Sequence, residues 1–171
     1  MRVKSKLKLA ATLIIISLVG FFVWKTSSFI KQRDFSVEQD RSQNDEEKEG
    51  LIKIQVGNKE LWVEIAETAE EKRQGLSNKE SLAENTGLLF SYNQPETAVF
   101  WMKDMLFAID IIWAADGKIV GIEESVPVPE SGVLDKDLVR YPSPGPVDYV
   151  LEVNGGWCKR NKVGVGGKIS F

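Results

Sequence analysis

Asp110 stands in the run Ala108-Ile109-Asp110-Ile111-Ile112, a lone carboxylate with apolar neighbours on both sides. Desolvating a carboxylate is costly unless something pairs with it. The residue is therefore either a ligand or metal contact, or a structural acid held by Lys103 or by a cluster of backbone amides at a bend. Just upstream, Phe100-Trp101-Met102-Lys103 places an aromatic pair, a methionine and a cation in succession. Trp101 and Met102 fit either the floor of a pocket or the core. Lys103 fits either a cation for an anionic ligand or a solvated cap on the acid. The expected ligand contacts are thus Trp101, Met102, Lys103 and Asp110.

A second carboxylate, Glu152, lies in Leu151-Glu152-Val153. Alternation turns it outward if Leu151 and Val153 face in, which predicts a solvated strand face. The other reading joins it to Asp110 as an acid/base pair, or with Asp104 as well as a hard-metal site. Asp110 and Glu152 are the candidate catalytic residues on that reading. Cys158 is the single cysteine and histidine is absent. An internal disulfide, Ser-His-Asp or Cys-His catalysis and the usual zinc sites are excluded, and no resident metal or cofactor is expected. With no histidine to activate it, Cys158 reads as a small buried residue. Asp116 is explained by its turn.

The elements that must position these residues are mostly strands. Ile52, Ile54 and Val56 alternate with Lys53 and Gln55, Gly57-Asn58 turns, and Leu61, Val63 and Ile65 alternate with Glu60, Trp62 and Glu64. That predicts a hairpin. Thr68-Ala69-Glu70-Glu71 is a capping box and Gly75 a stop, so a short helix is expected over about 68–74. Ser77 opens a second box, predicting a turn of helix that ends near Asn85. Strands are expected over 88–92, 98–102, 109–114, 118–123, 149–153 and 163–171, with Asp116-Gly117 as a tight hairpin turn and a short helix over 157–161. Five of the six prolines fall in 125–147, a long loop expected to be functional or mobile. Short strands with few helices predict a mainly β domain, an antiparallel sandwich or barrel with one or two short helices.

This domain is expected to span 51–171. It carries 13 Lys and Arg against 18 Asp and Glu, a net charge of −5, which argues against nucleic-acid binding. Residues 1–25 read differently. Arg2, Lys4, Lys6 and Lys8 precede an apolar run from Leu9 to Trp24, about 24 Å long as a helix. The absence of a good cleavage site favours an uncleaved transmembrane anchor, a mainly β domain following a membrane helix, with Leu9 and Trp24 at its ends. The charge bias places the N-terminus in the cytoplasm and the domain outside the cell membrane; cleavage would make the protein secreted. Residues 26–50, including QDRSQNDEEKEG, read as a disordered polar linker.

Several blocks in order resemble a family catalogued as domain of unknown function 192. They are Val63 to Ala66, Glu71 to Leu76, Gly87-Leu88-Leu89-Phe90, Phe100-Trp101-Met102-Lys103, Leu106 to Ile112, and Tyr149 to Gly156 with a glycine-rich last strand. The chain departs from the family at Ser77 and Leu88, where methionine is usual, at Lys103-Asp104-Met105 in place of Lys-Asn-Thr, and at Ala108-Ile109-Asp110 in place of Pro-Leu-Asp. The resemblance implies a small, mostly β domain, often behind a signal peptide or anchor, with no established activity. Two functions are then expected. One is a tethered binding module for an envelope ligand or partner protein. The other is a small carboxylate-dependent hydrolase or lyase acting on an envelope polysaccharide, with Lys103 holding an anionic group. The first predicts Asp110 and Glu152 pointing apart or paired; the second needs both in one cleft within about 5–10 Å.

Overall fold

The computed structural model describes residues 50–171. The expected anchor over 1–25, with Leu9 and Trp24, and all of the linker except Gly50 lie outside the described residues. No helix among the described residues is long and apolar enough to cross a membrane.

Among the described residues, nine strands and two short α-helices follow in order: β1 Ile52–Val56, β2 Lys59–Ala66, α1 Ala69–Gln74, β3 Thr86–Glu96, β4 Val99–Phe100, β5 Ile109–Ala115, β6 Lys118–Val126, β7 Tyr141–Pro142, β8 Val147–Asn154, α2 Trp157–Asn161 and β9 Ile169–Ser170. Seven strands form one sheet in the order β6-β5-β8-β3-β2-β1-β9, and β4 pairs with β7 apart from it. The sheet curls until its two edges meet at one end. Lys118 bridges Lys168, the Ile119 N–H donates to Gly167 O at 2.8 Å, and the Ile169 N–H donates to Gly117 O at 3.0 Å. The result is a half-closed barrel rather than a sandwich.

One pair departs from the expected antiparallel pattern: β2 and β3 run parallel. The helix α1 lies in their connection, and a crossover of this kind is what a parallel neighbour requires. Its Thr68 cap is formed as expected, with Thr68 Oγ1 accepting from the Glu71 N–H and Glu71 Oε2 accepting from the Thr68 N–H. The second box does not nucleate a helix; residues 75–78 turn and Asn78 has φ 62°. Strand β3 runs past Pro95 to Glu96, after a register shift that begins at Ser91. In the Asp116-Gly117 hairpin both residues have positive φ, 50° and 68°, as the tightest hairpin turns need.

Two apolar layers flank the sheet. Inside the curl pack Ile54, Leu61, Val63, Leu89, Ile112, Leu151 and Val153, with Trp157 and Cys158 of α2 plugging one end. On the outside, Leu88, Phe90, Ile109, Ile111, Trp113 and Val150 are covered by Leu76, Met102 and Met105. Every residue of β5 except Ala115 is buried. A strand covered on both faces reads as a continuous apolar run, and the two acids under discussion sit in such strands.

Candidate functional site

Asp110 is fully buried and faces the inside of the curl, opposite Val153. Its Oδ1 accepts from the Ser125 and Gly156 N–H groups, both at 2.7 Å, and its Oδ2 accepts from the Cys158 N–H at 2.8 Å. Two of these donors belong to the start of α2, whose own cap residue, Gly156, has no side chain to offer. Asp110 caps that helix from a neighbouring strand, and positive φ at Gly156, 74°, turns its N–H onto the carboxylate. Of the structural pairings expected from sequence, the amide cluster is the one formed. Lys103 is not the partner; its Nζ pairs with Asp135 at 2.7 Å and with Asp104 at 3.4 Å. Cys158 is buried beside Asp110, and burial first, then the Asp110 charge, pushes its thiol up, leaving it unreactive.

Glu152 lies one register step away on β8, paired with Ile111, and so points to the other face of the sheet. The solvated face expected for it is not observed: Glu152 is 4% exposed. Both parities of β8 are covered, so alternation did not lead to water. Its Oε2 is buried and has no hydrogen-bond partner. Burial pushes its carboxyl up to about 8, so at neutral pH the group is mostly a protonated acid.

Above Glu152 opens a cleft of about 460 Å³. The end of α1 and the following turn form one wall, with Lys72, Gly75 and Ser77; β3 gives Phe90, Tyr92 and Glu96; residues 97–101 form the opposite wall. This strap is held by β4–β7 pairing and by Ser143, whose Oγ accepts from the Ala98 N–H at 3.1 Å. Gly75, at φ 51°, borders the acid directly: a Cβ there would touch the Phe90 ring at 3.5 Å and lie 3.9 Å from Glu152 Oε2. Tyr92 is pushed up to about 12 by burial and then by the charges of Glu96 and Glu152.

The cleft takes in Glu152 and Trp101 of the residues singled out from sequence, and none of Met102, Lys103 or Asp110. Met102 is buried and lines a separate apolar hollow of about 280 Å³ under the proline-rich loop, with Pro127, Val128 and Tyr141. Asp110 and Glu152 are not brought into one cleft, so the two-carboxylate arrangement lacks its geometry. Among the described residues, no group of three or more acids and cysteines converges to hold a metal. Tyr92 and Glu96 were missed by sequence reasoning. Their signal was Tyr92 four residues before Glu96, on a strand following an apolar run.

Residues 52–171 match the model of the family described as Uncharacterized ACR, domain of unknown function 192, and the chain belongs to that family. No curated protein matches the chain. Among solved structures, a protein of unknown function from Novosphingobium aromaticivorans DSM 12444 is similar at 27% identity and TM-score 0.62, over 71% of this chain and 85% of that one. A Sinorhizobium meliloti 1021 protein described as a "putative transcription regulator" is similar at 30% identity and TM-score 0.60, over 69% of this chain and 89% of that one.

Proposed function

We propose that this member of the uncharacterised family is a membrane-tethered, extracytoplasmic binding module whose ligand, an envelope component or a partner protein, enters the cleft above Glu152. One observation carries the reading: a carboxyl 4% exposed whose Oε2 meets no donor. Leaving such a group unpaired costs about 1–3 kcal/mol, and a purely structural acid is given donors, as Asp110 is. An orphaned polar group buried against the lining of a cleft is what a site awaiting a hydrogen-bonding ligand looks like. The membrane tether rests on the sequence alone, on the basic start, the apolar run from Leu9 to Trp24 and the polar linker. An acidic domain with two glutamates lining its cleft suits nucleic acid poorly, unlike what the description of the Sinorhizobium protein as a regulator would call for.

The test is a thermal-shift screen of the full chain against sugars, amines, amino acids, organic anions and divalent ions at millimolar concentration. It is run beside Glu152→Leu, which removes the acid from the floor. At least one class is expected to raise the Tm of the wild type and not of the variant. If every class shifts both proteins equally, or neither, the cleft is not the site.

A further inference from the structure

Building on the cleft as binding site, we infer that the ligand group it receives is an organic cation, an alkylammonium or guanidinium head that pairs with Glu152 between aromatic walls. Four aromatic residues line the cleft: Phe90, Tyr92, Phe100 and Trp101. Phe90 and Phe100 are fixed edge to face, their centroids 4.7 Å apart and their planes at 86°. Two carboxyl side chains line the space, Glu152, which is buried, and Glu96, which is exposed, and after burial both push the Tyr92 phenol up. Aromatic rings around a carboxyl make a site for a weakly hydrated cation. The domain's net charge of −5 favours the approach of one.

Other ligand classes fit less well. An anion would meet the Glu96 carboxylate beside a neutral Glu152. The cations beside them are already engaged: Lys72 Nζ lies 4.3 Å from the Tyr92 centroid and Arg73 pairs with Glu70 at 2.6 Å. Lys72 also demonstrates the chemistry, since an ammonium of the chain itself already rests on a ring of the cleft. A hard metal ion would need more oxygens than two glutamates supply. The charged and titratable groups of the cleft are Lys72 and Arg73 from α1 and Tyr92 and Glu96 from β3, with Arg140 stacked on Trp101; Glu64, paired with Lys79, and Glu123 lie two strands away on either side in the cross-strand row of Glu152.

The pairing has a proton signature. The free carboxyl holds its proton at neutral pH because nothing stabilises its charge; a bound cation supplies that stabilisation, and the proton leaves to the buffer. No covalent bond changes. At pH 7 a group raised to about 8 is mostly protonated, so most of one proton is released per cation bound.

The experiment is calorimetric titration of the full chain with n-butylammonium and n-butylguanidinium. Matched n-butanol and butyrate serve as neutral and anionic probes, in two buffers of different ionisation enthalpy at pH 7. The expected result is binding of the cations with release of most of one proton. Butanol and butyrate should bind at least about tenfold more weakly, and Glu152→Gln should lose the proton release and about tenfold in affinity. Glu96→Gln, at the rim, is expected to weaken the cations several-fold and keep the proton release, and together with the wild-type proton count it carries the test if the Glu152 variant does not fold. Butanol binding as tightly as the cations, or cation binding without proton release, overturns the cation assignment while leaving the cleft a binding site. Absence of cation binding to the wild type also overturns it, and the broad thermal-shift screen then decides the binding-site reading separately.

Discussion

Asp110 and Glu152 sit on adjacent strands, one register step apart, and both are buried. Yet the first has three backbone donors and the second has an oxygen with none. The face of the sheet makes the difference. Inside the curl, α2 begins directly against β5 and its free N–H groups converge on Asp110. Outside, the same sheet is covered by side chains of Leu76, Met102 and Met105, which have nothing to donate. A buried carboxylate is thus a structural part or a poised group according to what its neighbours bring, and residue type does not distinguish the two cases.

The comparison breaks most severely at Asp110. Asn in its place keeps the shape but turns one acceptor into a donor, so at least one of the three amides faces an NH₂ group. The start of α2 then loses its cap and the barrel end its plug. Asp110→Asn is expected to lower stability by about 3 kcal/mol or more, a fall in Tm of roughly 10 °C or more for a domain of this size. A Tm within a degree or two of wild type would remove the structural role assigned to it.

The opposite sign is expected at Glu152. Its folded-state carboxyl is raised to about 8, against an ordinary 4.5. Between those values the folded chain holds a proton that the unfolded chain has lost, so stability falls as pH rises across that window, by up to about 1.4 kcal/mol per pH unit. Below about 4.5 the stabilising proton is held in both states, and above about 8 the loss is complete. Glu152→Gln carries no such proton. Its Tm is expected to match wild type near pH 5 and to exceed it increasingly towards pH 8, read from melts at several pH values. Parallel profiles for the two proteins would show that the acid is partnered after all.

A smaller effect separates the two helix starts. Asp110 caps α2 from another strand, whereas Thr68 caps α1 locally and at the surface. Thr68→Ala is expected to cost about 1 kcal/mol, measured by chemical denaturation. Because α1 carries one wall of the cleft, the same change should weaken any ligand that the thermal-shift screen finds. A cost as large as that of Asp110→Asn would erase the contrast between local and long-range caps.

Much of the scaffold was legible before folding. The Ile52–Ile65 alternation, the Asp116-Gly117 turn and the Thr68 box are local signals, settled within a few residues, and each formed its element. The parallel β2–β3 pair was not legible, because strand direction depends on where the chain returns after α1. Glu152 was misread for a related reason. Alternation assumes one wet face, and β8 has none; the run Val150-Leu151-Glu152-Val153, apolar in both parities, was the available warning. Asp110 was marked correctly as anomalous, but its partners come from 15 and more residues away, so the choice between ligand contact and amide cluster needed the fold.

The smallest expected effect concerns Lys103, which sequence grouped with Asp110 and Trp101. Its ammonium is held outside the cleft by Asp135 at 2.7 Å, with Asp104 at 3.4 Å, and both acids are well exposed. Ion pairs of that kind contribute little. Trp101 is secured separately, by the Arg140 guanidinium stacked 4.1 Å from its ring centroid. Lys103→Ala should therefore leave the Tm within error of wild type and leave the affinity for any ligand of the cleft unchanged, whereas Arg140→Ala, by freeing Trp101, should reduce that affinity about two- to threefold, less than 1 kcal/mol. If Lys103→Ala weakened the ligand more than Arg140→Ala did, the cation of the Trp101-Met102-Lys103 segment would belong to the site, and the division between a structural inner face and a binding outer face would have to extend to the proline-rich loop that Asp135 anchors.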